Sequence, residues 1–382
     1  TYTNADQAWG MGYDGTGRLI CTFDSGIDGD HPALVGNWRG NYTDWRAAWF
    51  DPVGQDSFPN TIVGSGLFSH GTWVAGVAFG YDSSIAYATG VAPGAQWISA
   101  AVTDLPTENS HAILEAFEWA ADPDGNPNTI SDRPDVINHS WGFVRNLHTI
   151  SCEDIFFDAI DNIEALGIVN IFAAGNSGSG AQTIANPANR ALDSIDCFAV
   201  GAINTSVDTA NPTVAPFSSR GPSDCDGVST KPKVVAPGVG VRTTNPGGTY
   251  VLQQGTSFSA PQVAGLVALM RQKNPNATVA EIKTAILNST NRDHFPGPPN
   301  DSTGWGEIDC LAAVNALSAV NTQPNVRVYD FTYAPVMPGD TLQGIVTVQN
   351  IGAASTGVTG VASSSNPDAT VISGAVDFAS VT

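Results

Sequence analysis

The sequence predicts an α/β fold: a doubly wound, mostly parallel sheet with helices on both faces, followed by a small all-β segment at the C-terminal end. Three observations carry this prediction. Short β-prone runs alternate with stretches of helical period through residues 1–320, the pattern that makes successive strands parallel. Several of those runs are apolar at consecutive positions, as strands covered on both faces must be. Beyond residue 325 the helical period vanishes, and Gly- and Ser-rich turns separate runs of alternating polarity.

In chain order, strands are expected over 18–23, 97–102, 136–139, 168–173, 198–202 and 233–236. Helices are expected over 70–80, 111–121 and 154–166, with two more opening at Ser257 and near Thr278. The last has a capping box, since Glu281 follows Thr278 by three positions before Ile282, Ala285, Ile286 and Leu287. The helix after Ser257 carries Val263, Leu266, Val267 and Met270 at helical spacing, small Ala264, Gly265 and Ala268, and Pro261 in its first turn, where a missing N–H costs little. Residues 38–68 read as an irregular insertion packed onto the body by Trp38, Trp45 and Trp49; a carbohydrate platform is the sharper alternative. Residues 321–325 form a polar linker, and 326–382, with alternating runs at 341–348, 358–362 and 370–372, resemble a β-sandwich short enough to be incomplete.

Ser257 sits where free backbone N–H groups and the positive helix end favour developing negative charge. Taken alone, it reads as a helix cap. His70, which opens the small-residue stretch His70-Gly71-Thr72, also reads alone as a capping residue. Asp24 closes the apolar run Leu19-Ile20-Cys21-Thr22-Phe23 before Gly26, and a carboxylate at a buried strand end must be paired or hydrogen-bonded. The three together, one on a strand end and two on helix starts, fit a catalytic crevice at the carboxyl edge of a parallel sheet.

At these residues the chain resembles the subtilisin-like serine proteases (subtilases), and the resemblance extends over roughly residues 1–320. It rests on Asp24-Ser25-Gly26, His70-Gly71-Thr72 and Gly255-Thr256-Ser257 with Pro261. The resemblance implies a nucleophile at Ser257, a general base at His70 and an orienting acid at Asp24. Phe172-Ala173-Ala174-Gly175-Asn176 resembles the family's strand end, implying an oxyanion donor at Asn176; read alone, Asn176 could equally follow Gly175 in a left-handed turn. Asn138-His139-Ser140-Trp141-Gly142 resembles the S1-lining segment, so Ser140, Trp141 and Gly142 with Ala173, Ala174 and Gly175 are the expected substrate-binding residues. Ser-Trp-Gly here, together with 122–127 and 184–189, is most similar to the bacillopeptidase F branch.

Departures from the family pattern locate where this chain differs. Phe258 stands where Met is common, which removes an oxidisable thioether beside the serine. Trp73 and Gln262 replace common histidines and are expected not to touch the triad. Trp141 replaces a smaller residue, implying a bulkier, flatter S1 wall with an apolar or aromatic P1 preference. Ala33 stands where many relatives place a calcium-binding Asp, so that site does not carry over. Structural calcium is compatible with so many acidic residues, but no Asp-rich loop shows a recognised ligand spacing, and no metal ligand or required cofactor is assigned.

Asp+Glu 36 against Lys+Arg 15 gives a net charge of -21, which argues against nucleic acid or anionic membrane as partners and leaves protein or peptide substrates. A secreted, extracellular monomer is expected, with Thr1 left by removal of a prodomain. Cys21, Cys152, Cys197, Cys225 and Cys310 allow at most two disulfides, with Cys21 the expected buried free thiol and the other pairings open. Three alternatives compete with a serine endopeptidase. A pseudoprotease would lack a triad member, a sedolisin-type acid peptidase would rely on Glu and Asp, and an esterase would place its serine in Gly-x-Ser-x-Gly.

Overall fold

The computed structural model describes residues 1–318 apart from 55, 62–68, 104, 106–108, 145–151 and 153–154, and also the four segments 326–333, 344–350, 355–361 and 375–381. Two compact units are present. The larger comprises 1–273 and 277–317, the smaller 274–276 and 318–382.

In the larger unit the helices are α1 (Ala5–Gly10), α2 (His70–Phe79), α3 (Asn109–Ala121), α4 (Phe157–Ala165), α5 (Ala260–Lys273), α6 (Val279–Asn288) and α7 (Cys310–Ala316). The strands are β1 (Leu19–Asp24), β2 (Trp49–Phe50), β3 (Tyr81–Asp82), β4 (Tyr87–Ala88), β5 (Gln96–Ala101), β6 (Val136–His139), β7 (Val169–Ala173), β8 (Phe198–Asn204), β9 (Thr213–Val214), β10 (Val234–Pro237), β11 (Val241–Asn245) and β12 (Thr249–Gln253). The main sheet runs β10-β8-β7-β6-β1-β5-β2, every pair parallel, with β9 added antiparallel beside β8. All six residues of β1 are buried, because α2, α5 and α3 pack against it. The chain winds outward from β1 in both directions, to β5 on one side and to β6 on the other. Their carboxyl ends therefore part at a switch point, the crevice where open α/β sheets bind ligands.

The central helix explains the core. Every residue of α5 from Ala260 to Arg271 is buried, so this helix is apolar nearly all round and lies against β1, β6, β7 and β8. Sequence-expected strands and observed ones agree within a residue or two; β1 gains Asp24 and β8 runs on to Asn204. Ser257 does not open the helix itself. It lies in a single 3-10 turn, Thr256–Phe258, ahead of α5. The capping box is present: the Thr278 hydroxyl accepts from Glu281 N at 2.9 Å and the Glu281 carboxylate accepts from Thr278 N at 2.6 Å.

Trp38 and Trp49 are buried in the main core, and Trp45 packs against it half-buried. Residues 62–68 of that insertion, the helix start expected at 154 and the linker 321–325 lie outside the described residues. One disulfide joins Cys152 to Cys225, while Cys21, Cys197 and Cys310 are buried thiols. In the smaller unit, β13 (Val326–Tyr333) pairs antiparallel with β14 (Gly344–Asn350), and β15 (Ser355–Val361) with β16 (Ala375–Val381). The strand expected at 370–372 lies outside the described residues, and β13 and β16 were not anticipated.

Candidate active site

β1 delivers Asp24 to the sheet edge, where it is 1% exposed. Its Oδ1 accepts from Ser25 N at 2.8 Å and lies 2.8 Å from Nδ1 of His70, the first residue of α2. The opposing oxygen, Oδ2, is buried with no hydrogen-bond partner among the described residues. The helix start reaches this turn because Gly71 has no side chain: a Cβ there would fall on the carbonyl oxygen of Gly26. That contact fixes how close His70 can come to Asp24.

Ser257 occupies the 3-10 turn ahead of α5 and is 8% exposed. Two bonds clamp it to the end of β6: its Oγ donates to Ser140 O at 3.2 Å, and Ser140 Oγ donates to Ser257 O at 2.9 Å. Ser140 Oγ in turn accepts from Asn138 Nδ2 at 2.9 Å. The Ser257 N–H lies in the turn immediately ahead of α5, beside the positive end of that helix.

Asn176 follows β7 through Gly175, whose φ of 105° takes the left-handed turn. Its Oδ1 accepts twice from Thr256, from N at 2.9 Å and from Oγ1 at 3.0 Å, which fixes the orientation of the amide, and Asn176 lines the cavity beside it. Thr256 Oγ1 also accepts from Gly175 N at 3.1 Å, so one buried hydroxyl ties the β7 turn to the serine turn.

The cavity beside these groups has a volume of about 250 Å³. Of the expected substrate-binding residues, Ser140, Trp141, Gly142, Ala173 and Gly175 line it. Ala174 does not: it is fully buried, and its N–H and carbonyl are spent on Val200 and Ala185. Val144, Ser177, Ala185 and Thr256 line it as well, unanticipated except that Thr256 lies inside the Gly-Thr-Ser motif. Trp141 stands edge-on to Phe143, Phe156 and His139, a wall of rings. His139, beneath it, is stacked 4.5 Å from Phe172, and burial depresses its pKa to about 3, so it is neutral.

The expectation that Trp73 stays clear of the triad is corrected. Its ring stands edge-on to His70 at 6.3 Å, and Phe258 lies 5.9 Å from the same imidazole. Positions three apart on a helix share a face, so this contact was readable from the sequence. Gln262 points elsewhere, donating to the carbonyls of Pro237 and Phe258.

Comparison with known proteins bears on the whole site. The model of the Subtilase family (Peptidase S8) matches residues 15–306. Bacillopeptidase F of Bacillus subtilis (strain 168) is 34% identical over 333 residues, 82% of this chain and 22% of that protein. Subtilisin E of the same organism is 35% identical, over 72% of this chain and 61% of its own length. This chain thus spans less than two thirds of either. A solved structure, the S41 psychrophilic protease, superposes with a TM-score of 0.61 at 27% identity, covering 78% of this chain and 92% of that one.

Proposed function

This chain belongs to the subtilase family, and from that premise we propose that it is a serine endopeptidase cleaving protein or peptide substrates through an acyl-enzyme. In this reading Ser257 Oγ leaves Ser140 O and attacks the scissile carbonyl while His70 Nε2 takes its proton. Asp24, bonded to His70 Nδ1, holds the tautomer that leaves Nε2 free and stabilises the imidazolium. Asn176 Nδ2 and the Ser257 N–H receive the oxyanion, His70 returns the proton to the leaving amine, and water repeats the sequence on the acyl-enzyme. The single observation that carries the proposal is the Asp24–His70 bond of 2.8 Å at the sheet edge where the Ser257 turn and the Thr256-held Asn176 amide also converge.

An apolar or aromatic P1 side chain follows from a cavity walled by Trp141, Val144, Ala173 and Ala185, with no charged residue among the described residues that line it. Gly142 and Gly175 keep it open, since a Cβ on either would press on Ala185 or Ser219. Secretion is supported by the Cys152–Cys225 disulfide and by the acidic surface implied by a net charge of -21. No helix among the described residues is long and apolar enough to cross a membrane.

A peptide library digested by the wild type beside Ser257→Ala tests the proposal. Cleavage by the wild type alone, after Phe, Tyr, Leu or Met, is expected. Equal cleavage by both forms rules out Ser257 as nucleophile, and cleavage after charged residues rules out the apolar pocket.

A further inference from the structure

α3 ends at Ala121 and β6 begins at Val136, and the chain between them folds back on itself in a set of turns. Gly125 takes a φ of 70° and bonds Asp122 O at 3.1 Å. The returning chain brings Asp132 against Asp122 and Asp124, with one carboxylate oxygen of each within 4.8 Å of the other two. Acidic clusters are ordinary on so acidic a chain. This one differs because two of its oxygens are stranded. Asp132 is 5% exposed; its Oδ2 accepts from Asp124 N at 3.0 Å, but its Oδ1 is buried with no hydrogen-bond partner among the described residues. Asp122 Oδ1 is buried and unpartnered in the same way. Converging like charges, with oxygens denied both water and a donor, are unfavourable unless a cation completes the arrangement.

We propose that Asp122, Asp124 and Asp132 form a calcium site that staples the loop between α3 and β6. All three donors are carboxylate oxygens, which suits a hard cation and disfavours zinc. Calcium takes oxygens at about 2.4 Å, so ligands on opposite sides stand at most roughly 4.8 Å apart, and three oxygens all within 4.8 Å of one another can share one such ion. Magnesium demands oxygens at about 2.1 Å in a stricter octahedron and keeps several of its waters, so a set of three carboxylates suits it less well. Water and loop carbonyls complete the shell. The ion would act on the site at one remove, by fixing the entry to β6, the strand that carries Asn138 and Ser140 to Ser257. The ligands were hidden in the sequence because Asp132 follows Asp124 by eight positions and joins it only through the fold.

The test uses the full chain carrying Ser257→Ala, which keeps self-digestion out of the readout. It is stripped with a chelator, then titrated with calcium or magnesium chloride by calorimetry, with melting curves in parallel. Asp122→Asn, Asp124→Asn and Asp132→Asn are each expected to bind one calcium fewer than the parent. They should also lose a Tm rise of roughly 5 °C, the size expected with calcium at about 100 times its Kd. Without metal, Asp122→Asn and Asp132→Asn should melt no lower than the stripped parent, since each relieves repulsion. Asp208→Asn, whose carboxylate is already bonded to Ala210 and Asn211, should keep the parent's calcium count. The proposal is overturned if all three variants bind as many calcium ions as the parent with the same Tm response. It is equally overturned if magnesium matches calcium in affinity and in Tm.

Discussion

Thr256→Val isolates the orientation of Asn176, the proposed oxyanion donor, because it keeps the side chain's shape and removes only a hydroxyl. That hydroxyl is fully buried and makes two bonds, to Asn176 Oδ1 at 3.0 Å and from Gly175 N at 3.1 Å. Losing the first removes a neutral hydrogen bond of about 1 kcal/mol, and losing the second strands a backbone N–H at about 1–3 kcal/mol. A stability loss of about 2–4 kcal/mol is therefore expected. The catalytic loss should be smaller, because Thr256 N still holds Asn176 Oδ1 at 2.9 Å and the amide loosens without leaving. A fall in kcat of about tenfold, equivalent to about 1.4 kcal/mol, with KM nearly unchanged, is the expected signature of a group acting in the transition state. Deleting the donor altogether, Asn176→Ala, should cost about 100- to 1000-fold, a value measured on a subtilisin and borrowed here. Initial rates on a chromogenic peptide over a range of concentrations separate the two constants, and melting curves on the Ser257→Ala background give the stability. A raised KM with unchanged kcat would mean that Asn176 only binds substrate. Lost stability with both constants unchanged would mean that the hydroxyl is purely structural.

Two further outcomes follow from the packing around the site. Gly71→Ala should lower kcat by at least about tenfold, because the added methyl meets the Gly26 carbonyl and must push α2 away from the turn that holds Asp24; a variant with wild-type kcat counts against that close approach. His139 is held neutral by burial, with its pKa near 3 against about 6.5 in the unfolded chain. Between those values the unfolded chain binds a proton the folded chain refuses, so stability falls as pH drops from 6.5 toward 3 and this group contributes no slope above 6.5. Denaturant midpoints between pH 4 and 7 should fall less steeply for His139→Phe; an unchanged slope means that His139 does not titrate in this way.

Much of this architecture was legible before the structure, for identifiable reasons. β6 was placed to the residue, a short β-prone segment bounded by the Ser-Trp-Gly turn. Asp24, His70, Asn176 and Ser257 stood out because each sits at the end of an element, where local pattern is strongest. What stayed hidden depends on which strand ends become neighbours. The exchange of bonds between Ser140 and Ser257 spans 117 positions, and the hold of Thr256 on Asn176 spans 80. Neither has a local signature. The Cys152–Cys225 bridge could not be picked out among four candidate cysteines, and Cys197 and Cys310 proved to be core thiols like Cys21. Ala174 was carried into the substrate-binding group by its motif, yet its N–H is spent on Val200 of β8 and its carbonyl on Ala185. Trp73 was a different kind of miss, since its spacing from His70 was sufficient to place it.

The central claim is that Ser257 is a nucleophile activated by His70 and Asp24. A serine-directed fluorophosphonate tests it most directly, because phosphonylation needs the activated hydroxyl and no particular substrate. One adduct per chain is expected, mapped by mass spectrometry to the peptide containing Ser257. Its formation should be abolished by Ser257→Ala and slowed by at least about 100-fold in His70→Ala. An adduct on any other residue, or labelling of Ser257 at the wild-type rate without His70, would contradict it.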